Sequence, residues 1–233
     1  MNTRLVLVCF FLLGLWVFPH WGATRAAPLG APVVRLEALR SYPHNSGHFT
    51  QGLFFYGDYL YESTGLYGKS VLARKNPQSG EILRQTALGA GYFGEGATLA
   101  GGRIYLLTWR ERIAFIFNPN SLEMEGWFTY GGEGWGLTYD GARLIRSDGS
   151  NTLHFHDLDG KLQGALEVYD GETPVSGLNE LEGIPEQRLI LANVWRRERI
   201  AAIAPAGGRV VFWLDMAGLT PQDLRGSGEH VPN

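Results

Sequence analysis

The sequence predicts an all-β fold built from repeated four-stranded units, a β-propeller. Three observations carry that expectation. Glycine is roughly twice as frequent as usual, with 32 in 233 residues, and is spread along the chain as turn punctuation. Short runs rich in Val, Ile, Leu, Tyr, Phe and Trp are bounded by Gly-Asp, Asp-Gly, Ser-Gly and Gly-Gly pairs, which favour hairpin turns. One opening, a side chain with a polar group followed by Gly and an apolar residue, recurs at Gln51, Glu95, Trp135 and Glu182, at intervals of 44, 40 and 47 residues. About 40–50 residues make one four-stranded blade. A β-sandwich would share the strands and turns but not the repeat.

The first 27 residues read as a signal peptide. Arg4 gives a basic start, residues 5–18 form an apolar run, and Pro19, Gly22, Ala23, Ala26 and Ala27 follow. The run is shorter than the ~20 residues of a spanning helix. A leader of this kind implies export to a periplasm or the outside, with no membrane attachment after cleavage. Cys9 is the only cysteine, so residues 28–233, expected to form a single domain, are without disulfides. The net charge of −3 is interspersed, which argues against nucleic-acid binding.

The units follow in order. The first has strands at 51–55, 59–65, 70–76 and 81–88; the second at 95–100, 103–109, 112–119 and 122–130. The third has strands at 135–140, 143–149, 152–158 and 162–168; the fourth at 182–185, 188–195, 199–206 and 209–215. The hairpins 108–113 (TWRERI) and 194–200 (VWRRERI) echo each other in units two and four.

First strands line a propeller's channel, so Gln51, Glu95, Trp135 and Glu182 are expected to form a ring. Two carboxylates, an amide and an indole do not suit an apolar core. They suit a wet pocket or a bound cation. The second strands end at the same face with residues 62–64, 108–109, 147–148 and 193–195. Trp109, Trp135 and Trp195 would wall a small substrate, and Glu95 or Glu182, partly desolvated, would serve in acid/base chemistry. Plainer readings stand beside these: inter-blade packing for each tryptophan, a structural ion for the acids, and turn closure for Ser147 and Asp148. His154 and His156 share one face of a third strand and are expected at the surface. His44 and His48 lie in a Pro/Asn/Ser/Gly stretch, not on a helix, so the i,i+4 zinc geometry is absent.

Nine segments in order resemble the glutaminyl-peptide cyclotransferases of plant and bacterial type. They are Tyr42-Pro43-His44, Phe49-Thr50-Gln51-Gly52-Leu53, Tyr61 through Gly68 (YESTGLYG), Phe93-Gly94-Glu95-Gly96, Leu107-Thr108-Trp109, Glu133 through Thr138 (EGWGLT), Ser147-Asp148-Gly149-Ser150, Leu178-Asn179-Glu180-Leu181-Glu182 and Asn193-Val194-Trp195. The resemblance implies a monomeric five-bladed propeller that converts the N-terminal glutamine of peptides or proteins to pyroglutamate and releases ammonia. It implies Glu95 as the catalytic acid and base, and a substrate pocket of Phe49, Gln51, Trp109, Trp135, Asn179 and Trp195, to which the ring adds Glu182. It implies chemistry that requires no cofactor and no zinc; a structural calcium is seen in some members.

The family pattern continues past the fourth unit with an Asn-Gly-Ile-Ala-Tyr strand and a Thr-Gly-Lys-x-Trp motif. In this sequence Asn233 falls at the fifth ring position. The expectation is therefore a last blade lacking about 25–30 residues, with residues 33–39 as its outer strand, low stability, and weak or no activity. Two other readings stay open: a propeller that binds peptides or sugars without catalysis, and an inactive truncated cyclotransferase.

Overall fold

The computed structural model describes residues 3–5 and 30–219. The leader expected at 1–27 lies outside the described residues except for β1 (Thr3–Leu5), whose backbone pairs antiparallel with β3 (Tyr42–His44).

Four antiparallel meanders make up the body. Sheet one is β4 (Thr50–Tyr56), β5 (Tyr59–Thr64), β6 (Val71–Lys75) and β7 (Ile82–Ala87). Sheet two is β8 (Gly94–Ala100), β9 (Arg103–Thr108), β10 (Ile113–Phe117) and β11 (Met124–Thr129). Sheet three is β12 (Leu137–Tyr139), β13 (Leu144–Arg146), β14 (Thr152–His156) and β15 (Leu162–Glu167). Sheet four holds β18 (Leu178–Ile184), β19 (Leu189–Val194), β20 (Arg199–Ala204) and β21 (Arg209–Asp215). It also gains the short strands β16 (Tyr169–Asp170) and β17 (Thr173–Pro174) beyond β21.

The two-residue period of a strand sorts the core between sheets. On β9, Ile104 and Leu106 face Phe54, Tyr61, Leu72 and Phe115 between sheets one and two. Tyr105 and Leu107, the alternate residues, face Tyr130, Leu137 and Leu144 between sheets two and three. Ile145, Leu153 and Phe155 then pack on Leu178, Leu181 and Ile190 between sheets three and four. The turns repeat too. Asn76, Asn118 and Asp157 occupy the same third-to-fourth-strand turn in three sheets, each accepting backbone N–H groups two to four residues on.

The inner strands β4, β8, β12 and β18 neighbour one another in that order. Glycine permits the approach. A Cβ on Gly136 would sit 2.0 Å from the Asn179 carbonyl oxygen, and one on Gly96 would sit 2.5 Å from the Leu137 nitrogen. Each sheet therefore steps onto the next around a common axis, in a propeller-like all-β fold.

Two expectations need correcting. The first strand of unit four is Leu178–Ile184, not 182–185. Gly136 packs on Asn179 and Glu180. Ser147 Oγ donates to the Asn179 carbonyl at 2.8 Å, as Ser63 Oγ donates to the Glu95 carbonyl at 2.6 Å. Asn179, not Glu182, is thus the counterpart of Gln51, Glu95 and Trp135. The pairing of β18 slips between Leu178 and Leu181, just as β4 slips at Thr50/Gly52 and β8 at Gly94/Ala97. These bulges turn the ring residues inward. The second correction concerns 33–39: only β2 (Val33–Arg35) is a strand, and it runs parallel to β21, with Val33 opposite Trp213.

Candidate active site

The ring residues lie where the bulges of the inner strands meet the ends of the second strands. Gln51, Glu95 and Asn179 are at most 7% exposed. Trp109, at the end of β9, and Trp135, ahead of β12, point their indole N–H groups at one acceptor. Both donate to Glu133 Oε2, at 2.7 and 2.9 Å. Trp195 packs edge-on against Trp135 with ring centres 5.7 Å apart. Phe93 joins the wall from sheet two, 5.5 Å from the Trp109 ring and 6.3 Å from Phe49. Gly149, with φ of +80°, is shaped by this wall: a Cβ there would lie 2.6 Å from the Trp135 ring.

The charges divide sharply. Burial pushes the Glu95 carboxyl well above the usual carboxylate range, and the negative charges of Glu133 and Glu111 push it further. Burial alone would raise Glu133 as well. Hydrogen bonds from Trp135 and Trp109, with the charge of Arg110, outweigh that and hold it below its usual value. One carboxyl is therefore poised to take up a proton, and the other stays ionised beside it. Glu180 is a third acid. Burial and the charges of Glu182 and Glu95 raise it strongly, and its Oε2 is shut off from solvent.

Of the residues expected at the site, Phe49, Gln51, Glu95, Trp109, Trp135, Asn179 and Trp195 gather at this end of the inner strands. Glu182 sits three positions past Asn179, further along β18; its side chain is open to solvent, yet the protein packed around it raises its carboxyl to about 7, as expected of a partly desolvated acid. Glu62 leaves the pocket as well. It is fully buried, accepting from Thr50 Oγ1, bonded to His44 Nε2 and His48 Nδ1 at 2.9 Å each, and paired with Lys75 Nζ. Among the described residues no three His, Cys, Asp or Glu side chains are placed to hold a metal ion. The Glu62 cluster already contains the Lys75 ammonium.

Of the two histidines expected at the surface, His154 is half-buried and His156 is buried. His156 is 4% exposed, and His154 Nε2 bonds Asp148 at 2.8 Å. They line a cavity of about 590 Å³ between sheets two and three. Arg146, at its back, bonds the carbonyls of Glu133 and Gly131 and so fixes the loop that carries Glu133.

Glu133 and Phe93 are the residues that sequence reasoning missed. Both stand two positions before a ring residue, as Phe49 and Gly177 do. The Phe49, Phe93 and Gly177 carbonyls each accept from the residue ending the adjacent second strand: Gly65, Trp109 and Trp195. Extending the repeat two columns further back brings them into register with Phe49.

A family model for glutamine cyclotransferases matches residues 13–233. The chain belongs to the glutamine cyclotransferase family. Glutaminyl-peptide cyclotransferase of Arabidopsis thaliana is 34% identical to this member over 209 residues, which is 87% of this chain and 64% of that protein. The chain thus spans slightly less than two thirds of that relative. The crystal structure of Myxococcus xanthus glutaminyl cyclase superposes with a TM-score of 0.75 at 36% identity, over 81% of this chain and 80% of that one. Hydrazine synthase of Kuenenia stuttgartiensis, at 14% identity and a TM-score of 0.50 over 71% of this chain and 48% of its own, shares only the fold.

Proposed function

We propose that this cyclotransferase-family chain converts the N-terminal glutamine of peptides to pyroglutamate and releases ammonia. The observation that carries the reading is Glu95: a buried carboxyl of raised pKa at the inner-strand position that Gln51 and Asn179 occupy in sheets one and four, at the end where the indoles of Trp109, Trp135 and Trp195 gather. Family membership and the likeness to a solved glutaminyl cyclase support it.

The reaction is intramolecular. The substrate's α-amine attacks the carbon of its own side-chain carboxamide. As the new C–N bond forms, the amine passes a proton to the Glu95 carboxylate. The tetrahedral intermediate collapses, the bond to the carboxamide nitrogen breaks, and Glu95 returns the proton so that nitrogen leaves as ammonia. A raised pKa suits both halves, because the same group must accept and donate near neutral pH. The side-chain amides of Gln51 and Asn179 offer N–H donors to the oxygen that gains charge. Phe49, Trp109, Trp135 and Trp195 hold the glutamine folded, which supplies much of the rate by orientation.

The wider reading is a single domain from residue 28, a monomer of five-bladed design, exported behind a cleaved leader. The 40–44-residue interval between the ring residues Gln51, Glu95, Trp135 and Asn179 and the apolar run at 5–18 support it. Every reacting group belongs to the substrate or Glu95, so the cyclisation needs no metal. Ammonia release from a glutaminyl dipeptide tests the function. Steady release supports it, whereas binding without release favours a non-catalytic peptide-binding propeller.

A further inference from the structure

The pocket mouth is encircled by the tips that follow the second strands: 65–69 in sheet one, 109–112 in sheet two, 147–151 in sheet three and 195–198 in sheet four. These tips carry five basic side chains, Lys69, Arg110, Arg112, Arg196 and Arg197, all exposed. Three acids share the tips, and two are engaged. Glu111 accepts from the Tyr67 hydroxyl at 2.8 Å and the Phe93 N–H at 3.3 Å. Asp148 is bonded by Ser150 and His154. The chain as a whole carries a charge of −3, so the basic excess here is local.

A charged hairpin tip is ordinarily just a solvated turn. Two of these arginines are not free in that sense. The Arg110 guanidinium lies 3.8 Å from the centre of the Trp109 ring, and Arg196 lies 4.3 Å from the centre of the Trp195 ring. Stacking on the indoles that wall the pocket holds both cations beside it. Arg110 shares its charge with Glu133 at 3.3 Å. Arg196 has no carboxylate partner among the described residues.

When a glutamine side chain fills the pocket, the residues after it must leave across this rim. We propose that the rim makes the protein select glutaminyl peptides whose next residues are acidic, with Arg196 and Arg110 as the cations that receive their carboxylates. The inference rests on the cyclotransferase reading for which residue enters the pocket. It adds what the rest of the peptide should be.

The test uses three peptide amides that place glutamate, alanine or lysine after the N-terminal glutamine. Turnover is read as kcat/KM. Affinity is read separately by indole fluorescence, with peptides whose α-amine is dimethylated so that no lactam forms. The expected order is glutamate, then alanine, then lysine, with about two- to fivefold per charge step at low salt. At 1 M salt the steps should collapse, because the screening length falls to about 3 Å. Arg196→Glu should flatten or invert the order. Equal affinity for the three peptides at low salt, no binding of any, or an order untouched by Arg196→Glu overturns the proposal. Absence of turnover with every peptide overturns the cyclotransferase reading instead, and the affinity order still decides the rim.

Discussion

Glu133 accepts from two indoles at once and lends its charge to the surroundings of Glu95. Substituting it therefore separates two effects. Glu133→Gln keeps an acceptor oxygen but removes the charge. With weaker hydrogen bonds to Trp109 and Trp135, kcat/KM should fall by about tenfold, a loss on the scale of one charge-assisted hydrogen bond. The pH profile should move in a stated direction. Burial, then the negative charges of Glu133 and Glu111, raise Glu95, so the acid limb of kcat/KM should lie above the usual carboxylate range. Removing the Glu133 charge lowers the Glu95 pKa and should carry that limb to lower pH. An acid limb that stays in place in Glu133→Gln would show that the two carboxyls are not coupled. Glu95 and Gln51 were legible in the sequence because each directly precedes a repeat glycine. Glu133 was not, because a carboxylate two positions before an indole reads as a solvated turn until the chain folds both indoles onto it.

At the scale of elements, the buried Glu62 cluster ties the segment ahead of β4 to the face of sheet one. Burial works against the Glu62 charge. Hydrogen bonds from His44 and His48, and the charge of Lys75, more than offset it and leave the carboxyl far below its usual value. A depressed folded-state pKa means stability that is present above the unfolded value, near 4.5, and is lost as pH falls toward the folded one. Wild type should therefore lose stability steadily below about pH 5, and Glu62→Gln should flatten that dependence. Glu62→Ala strands the Lys75 ammonium in the interior and should cost about 3–5 kcal/mol in urea unfolding at neutral pH. Gly136→Ala drives a Cβ into the Asn179 carbonyl, where backbone meets backbone. It should cost more than about 3 kcal/mol, at the upper end of overpacking effects. The strands themselves were largely legible, since alternation and turn pairs place the ends of β4 to β15 within three residues of the sequence reading. The start of unit four was not. Glu182-Gly183-Ile184 repeats the opening motif, yet the bulge and the approach of Gly136 fall at Asn179 and Glu180. A motif defined by residue types misplaces a register that backbone contact sets.

For the whole molecule, the succession of four-stranded sheets around inner-strand glycines followed from repeat length and glycine spacing. The short strands of sheet four and the parallel seat of β2 did not, because they depend on which edge is open once the sheets have formed. The proposed chemistry draws one group from each of several sheets: Gln51 from sheet one, Glu95 from sheet two and Asn179 from sheet four. Activity should therefore vanish with global unfolding in a single step. In the proposed cyclisation Glu95 and the substrate supply every reacting group, so a chelator should leave the rate unchanged; loss of activity restored by a divalent ion would place a metal in the reaction. The central claim is that Glu95 moves the proton of an internal cyclisation. Its most direct measurement follows a glutaminyl peptide by mass spectrometry with wild type and Glu95→Gln, with urea midpoints taken in parallel. The expected result is loss of one ammonia with wild type and a rate at least about 10²-fold lower in the variant, with an unfolding midpoint no lower than wild type. Turnover by Glu95→Gln within a few-fold of wild type would contradict it.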